Sequence, residues 1–249
     1  MYWEDKAVIL GAKRFGETSI ILEVFSENHG LHKGLVKGGA SKTKRALVQP
    51  GNWCSINWRA RLNEQLGSFS LEVYKYYSVN LIQNVTMLYG FESIRFYIML
   101  LAEREKNINL YKFLLQFLQC DLGHYLKLAE IFIKFEFAYI NAMGVGPDLS
   151  CCAATGVAAD LRYVSPKSLQ AVCYNIGKDW HDKLLPLPSF LSENAKVVGG
   201  EDIIKGYKLV TYFLERYIWQ DCRTSLILTR KSFFTNIFRF IEQYDANNL

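Results

Sequence analysis

Alternating apolar and polar residues predict short β-strands in the first 78 residues of the chain. The clearest segment spans 54–62, where the apolar positions are Cys54, Ile56, Trp58, Ala60 and Leu62 and the positions between them are Ser55, Asn57, Arg59 and Arg61. A period of two places one face of a strand on a core and the other in solvent. Segments 7–15, 18–26, 31–38 and 68–74 have a similar composition and end at turn residues. Five such strands predict a small closed β-barrel, and the OB-fold is the common five-stranded form that binds nucleic acid.

Beyond residue 79 apolar residues recur at intervals of three and four, which predicts helices. The strongest pattern spans 124–143, where Glu130 and Lys134 are spaced to pair across one turn. Further helices are predicted at 80–105, 108–120, 201–219 and 224–243. Residues 144–166 lack a regular pattern, and two prolines in 184–191 exclude a helix interior. The sequence therefore predicts an α+β multidomain protein: an OB-fold β-barrel domain over 1–78, then a mainly α-helical domain over 79–249 with an irregular, knuckle-like insert at about 144–191.

The basic residues are concentrated in one short stretch. Residues 28–63 contain seven lysines and arginines and no acidic residue, whereas residues 1–27 carry a net charge of −2 and residues 64–249 a net charge of zero. The whole excess of +5 therefore comes from these 36 residues. A local basic surface is typical of proteins that bind the phosphate backbone of nucleic acids. A solvated basic loop without a ligand is the alternative interpretation.

The predicted strands place these cations on one side of the barrel. Arg59 and Arg61 are two residues apart, so both point to the outer face of the same predicted strand. Lys33 and Lys37 come from the strand before it, and the connecting loop supplies three more cations. The predicted nucleic-acid-binding residues are Arg14, Lys33, Lys37, Lys42, Lys44, Arg45, Arg59 and Arg61. The candidate stacking surfaces for unpaired bases are Tyr74 and Tyr76.

Motifs for nucleotide and metal-dependent catalysis are absent from the sequence. There is no GxxxxGK[ST] phosphate loop, no GxGxxG after a strand, no HExxH and no GxSxG. The sequence therefore predicts a binding protein and not an enzyme. One alternative stays open, because Cys151 and Cys152 in an irregular loop, with His181 downstream, are the residue types of a cysteine nucleophile and its base.

The cysteines and the N-terminus bear on the cellular compartment. The six cysteines are Cys54, Cys120, Cys151, Cys152, Cys173 and Cys222, and their spacing does not suggest a disulfide framework. The N-terminal MYWEDKAVIL is acidic where a secretory signal is basic, and no apolar run reaches the roughly 18 residues of a membrane span. We expect a cytoplasmic protein.

The order of several motifs resembles the bacterial RecO family of recombination mediators. The motifs are the basic turn GASKTKR at 39–45, the strand LVQPGNWCSINWRARL at 47–62, the helix-to-loop junction FEFAYINAMGVGPDLSCCAATG at 135–156, and the later segments YVSPKSLQAV and LLPLP. The resemblance covers most of the chain. It implies an OB-fold domain followed by a helical domain with a zinc-knuckle-like insert.

The resemblance also implies a function and a set of partners. It implies binding of single- and double-stranded DNA, annealing of complementary strands, and loading of the RecA recombinase, together with RecR, on DNA covered by single-strand-binding protein (SSB). It implies an apolar pocket in the helical domain for the acidic C-terminal tail of SSB, for which Lys127 and Lys134 are the candidate charges. Some relatives hold zinc with four cysteines, but Thr155 and Ile176 replace the second cysteine of each pair here. We therefore expect no metal and no other cofactor.

Two further functions fit the same basic barrel. An RNA-binding OB-fold protein of translation or tRNA handling would prefer RNA strands through their 2′-hydroxyl groups. A protein scaffold would use the basic stretch to dock an acidic tail and would bind no naked DNA. The residues alone leave both alternatives open.

Overall fold

The first 75 residues form a closed five-stranded barrel. The computed structural model describes residues 1–62, 64–192, 198–221 and 224–247. The barrel strands are β1 (Tyr2–Phe15), β2 (Ser19–Ser26), β3 (Gly30–Val36), β4 (Trp53–Arg59) and β5 (Ser68–Lys75). They are hydrogen-bonded in the order β1-β2-β3-β5-β4, and β4 pairs with β1 to close the barrel. The predicted OB-fold is therefore confirmed.

Strand β4 has the predicted core face but is shorter than predicted. Its inward side chains Cys54, Ile56 and Trp58 are fully buried. The prediction of a strand through Leu62 is wrong, because the ladder ends at Arg59 and Leu62 is 52% exposed. Gly67 sits at the end of the turn with φ +66°, and a Cβ there would lie 2.4 Å from the Trp58 indole nitrogen. Only glycine fits this turn, which returns the chain to β5.

Strand β1 begins at Tyr2, whereas the sequence predicted its start at Ala7. Its first residues pair with β4, which pairs in turn with β5. The register forms two rows across these three strands: Tyr2, Arg59 and Ser68, then Glu4, Asn57 and Ser70. Trp3, Trp58 and Phe69 lie between them in sequence and pack into the core. The two rows therefore face outward.

Three helices complete the compact unit Met1–Leu122. They are α1 (Ser78–Gln83), α2 (Val85–Met99) and α3 (Ile108–Gln119). The Trp53 indole donates to the Tyr111 hydroxyl at 3.0 Å. The main-chain N–H of Arg104 donates to the carbonyl of Leu31 at 2.8 Å. These bonds attach the helical segment to β3 and β4, so the unit extends well beyond the barrel.

The second compact unit spans Gly123–Leu249. Its described α-helices and strands are α4 (Tyr125–Ala142), β6 (Leu161–Ser165), β7 (Gln170–Cys173), α5 (Tyr174–Gly177), β8 (Leu185–Pro186), α6 (Gly200–Tyr217) and α7 (Thr224–Asn247). The predicted pair of Glu130 and Lys134 is confirmed at 2.5 Å. A buried ion pair joins α4 to α7, with Arg230 Nε 2.6 Å and Nη2 3.0 Å from the Glu136 carboxylate.

The insert is more regular than its sequence predicts. Strands β7, β6 and β8 form a small sheet, so the prediction of irregular structure up to residue 166 is wrong from Leu161 onward. The strand is defined by pairing with β7 and β8, which local spacing does not reveal. None of the five described cysteines forms a disulfide, and Cys222 lies outside the described residues. None of the helices within the described ranges is long and apolar enough to cross a bilayer.

Candidate nucleic-acid interface

A groove of about 500 Å³ opens on the barrel, and residues of β3, β4 and β5 line it. It lies at the joint of β3 and β5, which share a single paired position, Leu35 with Ser68. Lys37, Lys44 and Arg59 contribute three cations to its lining, and no lining residue is acidic. Three of the eight predicted cations therefore meet at one site, which we call the barrel groove.

The side chains at the barrel groove are held by specific contacts. The Tyr2 hydroxyl donates to Asn57 Oδ1 at 2.6 Å. The Arg59 guanidinium lies over the Tyr2 ring, 5.8 Å from its centroid, in cation–π geometry. Lys44 Nζ donates to the carbonyl of Lys37 at 3.3 Å. These contacts orient the ring and the cations. The side chains of Tyr2, Lys37, Lys44 and Arg59 nevertheless stay exposed.

Lys33 has a different environment from Lys37. Lys33 lies in β3, whereas Lys37 follows the end of that strand at Val36, so the prediction that one strand carries both lysines is wrong. Its Nζ is 2.7 Å from Glu103 and 3.9 Å from Glu23. The hydrogen bond to Glu103 raises the pKa of Lys33. The structure thus brings Lys33 to two carboxylates and not to the barrel groove.

The other four predicted cations are exposed but do not line the barrel groove. They are Arg14, Lys42, Arg45 and Arg61. Arg14 donates to the carbonyl of Glu17 at 3.2 Å, at the turn between β1 and β2. Arg61 follows the end of β4, so it does not share a strand face with Arg59 as predicted. Tyr74 and Tyr76 are exposed as well, and neither lines the groove.

Sequence reasoning missed four polar residues of the barrel groove: Tyr2, Asn57, Ser68 and Ser70. The outward positions of Asn57, Ser68 and Ser70 follow from the alternation in β4 and β5. Tyr2 carried no such signal, because its place depends on the register of β1 against β4, more than 50 residues away. An aromatic residue in an extended N-terminal segment was the only available indication.

A second groove, of about 660 Å³, lies in the helical unit and contains both predicted partner-binding lysines. We call it the helical groove. Lys134 and Lys127 are 2.5 Å and 3.0 Å from the same Glu130 carboxylate. Burial raises the pKa of Glu130, but the hydrogen bonds from the two lysines outweigh it, so its pKa is lowered. The aromatic lining is Tyr125, Phe240 and Tyr244, with Tyr125 and Phe240 rings 4.8 Å apart.

The cysteine loop does not assemble the nucleophile and base that its sequence suggested. Cys152 is 1% exposed, and its Sγ accepts the N–H of Cys173 at 3.3 Å. Burial raises the pKa of Cys152, but hydrogen bonds from the Thr155 hydroxyl and from nearby main-chain N–H groups lower it to about 6. His181 is occupied elsewhere, with Nδ1 on the carbonyl of Lys178 and Nε2 3.0 Å from Asp182. The lowered pKa therefore comes from hydrogen bonds and not from a histidine partner.

Among the described residues, the same loop does not bring together a set of ligands for a structural zinc site. Such a site takes four nitrogen or sulfur ligands. Thr155 and Ile176 stand at the two positions where the family resemblance implies cysteines, and isoleucine offers no ligand atom. Across the part of the chain that the structure describes, no group of three or more His, Cys, Asp or Glu side chains could hold a metal ion.

The barrel followed by a helical unit with a small sheet defines an α+β protein built on an OB-fold. Comparison with protein families identifies the particular class. The family model "Recombination protein O N terminal" matches residues 1–77, and "Recombination protein O C terminal" matches residues 88–225. The chain belongs to the RecO family of DNA repair and recombination proteins.

Individual relatives match this chain in sequence along nearly its whole length. The chain is 44% identical over 235 residues to the DNA repair protein RecO of Bartonella tribocorum, covering 91% of this chain and 94% of the relative. It is 39% identical over 234 residues to that of Rhizobium rhizogenes, covering 94% and 90%. It is 38% identical over 251 residues to that of Brucella abortus, covering 99% and 100%. The family resemblance inferred from the sequence motifs is thereby confirmed.

Proposed function

We propose that this protein binds single- and double-stranded DNA at the barrel groove and anneals complementary strands. We also propose that it acts with RecR to load RecA on SSB-coated DNA in the bacterial cytoplasm. The observation that carries the proposal is the meeting of Lys37, Lys44 and Arg59 on an OB-fold barrel, without a lining carboxylate, in a chain of the RecO family. No residue of this site is assigned a catalytic role, because binding and pairing of strands require no covalent chemistry.

Annealing requires two polyanions to approach each other. A basic groove lowers the repulsion between them, and the release of condensed counterions supplies much of the affinity. Cations that contact phosphates do not read bases, so binding is largely independent of sequence. The groove cations act at the centre, and the exposed Arg14, Lys42, Arg45 and Arg61 extend the positive surface. Lys33 contributes less, because Glu103 and Glu23 compensate its charge.

The helical groove is the proposed site for the C-terminal tail of SSB. Its aromatic side chains offer an apolar surface. Its two lysines and the Glu130 carboxylate together carry a net charge of +1. An acidic peptide that ends in apolar residues matches both features. Lys127 and Lys134 would meet its carboxylates, while Phe240 and Tyr244 would cover its apolar side chains.

We further propose that the insert folds without metal. The Cys152 sulfur, at a position where the family resemblance implies a zinc ligand, accepts the main-chain N–H of Cys173 at 3.3 Å. The small sheet of β6, β7 and β8 and the turn closed by the Gly156 N–H on the Cys152 carbonyl at 2.8 Å support the loop. Elemental analysis of the purified protein tests this directly, and a stoichiometric amount of zinc that resists chelation would contradict it.

An annealing assay tests the main proposal. Complementary oligonucleotides, bare or coated with SSB, are mixed with the protein, and duplex formation is followed by fluorescence. We expect faster annealing on both substrates, with weaker acceleration when SSB lacks its acidic tail. Normal DNA binding without any acceleration would contradict the mediator function. Stronger binding to RNA than to DNA strands of equal length would favour the RNA-binding alternative.

A further inference from the structure

The barrel groove contains more than phosphate binding needs. Contacts to phosphates require only cations and hydrogen-bond donors. Here the Tyr2 side chain is 58% exposed beside the cations, and Phe69 and Leu71 form part of an apolar wall. Asn57 and Ser70 add polar side chains of the kind that bond the edges of bases. An aromatic face, an apolar wall and polar groups together match a nucleobase.

The Tyr2 ring is fixed in place and lies between opposite charges. Its hydroxyl donates to Asn57 Oδ1 at 2.6 Å, which holds one end of the ring. Glu4 Oε2 lies 3.5 Å from the same hydroxyl. The Arg59 guanidinium lies over the ring at 5.8 Å from its centroid. A phosphate is repelled from the Glu4 side and attracted to Arg59, so the charges give a bound nucleotide one orientation.

We propose that the barrel groove binds an unpaired nucleotide, with its base against Tyr2 and its phosphate toward Arg59, Lys37 and Lys44, and thereby favours single-stranded over duplex DNA. The inference rests on the proposed function and assigns the groove a ligand class. A groove of about 500 Å³ lies within the roughly 300–1,000 Å³ of small-ligand pockets. In a duplex the base faces are covered by neighbouring bases, so a duplex uses only the cations of the groove.

The test compares full-length wild type, Tyr2→Ala and Tyr2→Phe by fluorescence anisotropy on a labelled oligothymidylate and on a duplex of equal length. A base stacked on an aromatic ring contributes about 1–3 kcal/mol. We therefore expect Tyr2→Ala to lower single-strand affinity by roughly 5- to 150-fold. Duplex affinity should fall by a much smaller factor, because Lys37, Lys44 and Arg59 remain and only the ring contact that orients Arg59 is lost. Tyr2→Phe keeps the ring and should retain most of the single-strand affinity.

A matched control and a second substrate keep the test independent of folding. Tyr76→Ala removes another exposed tyrosine of the same unit, one outside the groove, and should change neither affinity. On an abasic oligonucleotide with the same phosphates, wild type should bind about as weakly as Tyr2→Ala binds the intact strand. Equal binding of wild type to intact and abasic strands would overturn the nucleotide site.

The two proposals fail differently. If wild type binds and anneals DNA but Tyr2→Ala matches it on single strands, only the nucleotide site is overturned. If Tyr2→Ala lowers single-strand and duplex affinity equally, Tyr2 acts by supporting Arg59, and the selectivity is again overturned. If wild type binds no DNA at all, the proposed function and the nucleotide site fall together.

Discussion

The barrel groove and the helical groove both contain lysines, but their lysines have different neighbours. In the barrel groove Lys37 and Lys44 meet Arg59 with no carboxylate in the lining. In the helical groove Lys127 and Lys134 share the Glu130 carboxylate between aromatic side chains. The first arrangement suits a polyanion held mainly by charge, and the second suits a short acidic peptide that also buries apolar groups. The neighbours of the cations therefore distinguish the two grooves and the ligands proposed for them.

The largest expected effect comes from reversing charge in the barrel groove. Lys37→Glu with Arg59→Glu replaces two phosphate contacts by two repulsions, and we expect DNA affinity to fall at least 100-fold at about 0.1 M salt. Binding of an SSB tail peptide should be unchanged. Anisotropy with labelled DNA and with labelled peptide measures both. Parallel losses in the two assays would show that the two grooves do not act separately.

Removing a lysine from the helical groove should weaken binding of the SSB tail and leave DNA binding unchanged. Lys134→Ala deletes a charge-assisted hydrogen bond to the peptide, so we expect the affinity for the SSB tail to fall by roughly tenfold. Lys127→Ala should cost less, since its side chain is 59% exposed and better screened. Calorimetric titration with the tail peptide measures the effect, and oligonucleotide binding is the control. An undiminished peptide affinity in Lys134→Ala would remove this groove as the tail site.

Removing the acid from the helical groove should strengthen peptide binding. Glu130→Gln keeps the shape of the side chain and frees both lysines, so we expect affinity for the acidic tail to rise by about threefold or more. The pKa of Glu130 is lowered by its lysines, so its carboxylate stays ionised in wild type as the pH falls to about 5. The same calorimetric titration decides the sign. Weaker binding by Glu130→Gln would mean that the carboxylate positions the lysines instead of competing for them.

The smallest effect concerns the insert, which belongs to neither groove. The pKa of Cys152 in the folded protein is lowered from 9.0 to about 6. The stabilisation from its thiolate is therefore fully present above about pH 9 and is lost as the pH falls through about 6. We expect the urea midpoint of wild type to exceed that of Cys152→Ser by an amount that grows over this range. Burial raises the pKa of Cys54, so Cys54→Ser serves as a control whose difference is constant between pH 6 and 8. If the difference in urea midpoint between wild type and Cys152→Ser did not change with pH, a stabilising thiolate at Cys152 would be contradicted.

The sequence predicted local features better than the contacts between distant segments. Alternation located the core of β4 at Cys54, Ile56 and Trp58, because a strand with one buried face must follow that period. It could not show that β4 ends at Arg59, since the end depends on a turn whose glycine packs on Trp58. The helix pattern around Glu130 predicted its pair with Lys134 for the same local reason.

In the candidate site, too, the sequence predicted local features better than contacts between distant segments. The charge count identified the basic stretch, and three of its cations line one groove. Lys33 could not be distinguished from Lys37 by sequence, because Glu103 reaches it from a segment 70 residues away. Tyr2 enters the site through the register of β1 on β4, and Phe240 reaches Tyr125 across more than 100 residues. Long-range pairing decides these positions, and no local pattern encodes it.

The salt dependence of DNA binding tests the barrel groove most directly. Wild type with four phosphate contacts, three from the groove cations and one from the exposed cations around them, should give a slope of log K against log salt of about −2.8 to −3.6. The triple variant Lys37→Ala/Lys44→Ala/Arg59→Ala lacks all three groove cations, and we expect it to flatten the slope by about 2 to 3. The matched variant Lys42→Ala/Arg45→Ala/Arg61→Ala removes the same charge from the same stretch but outside the groove, and should flatten it by about 1 or less. Equal slopes for the two variants would contradict the account, because net charge alone, and not the groove, would then hold the DNA.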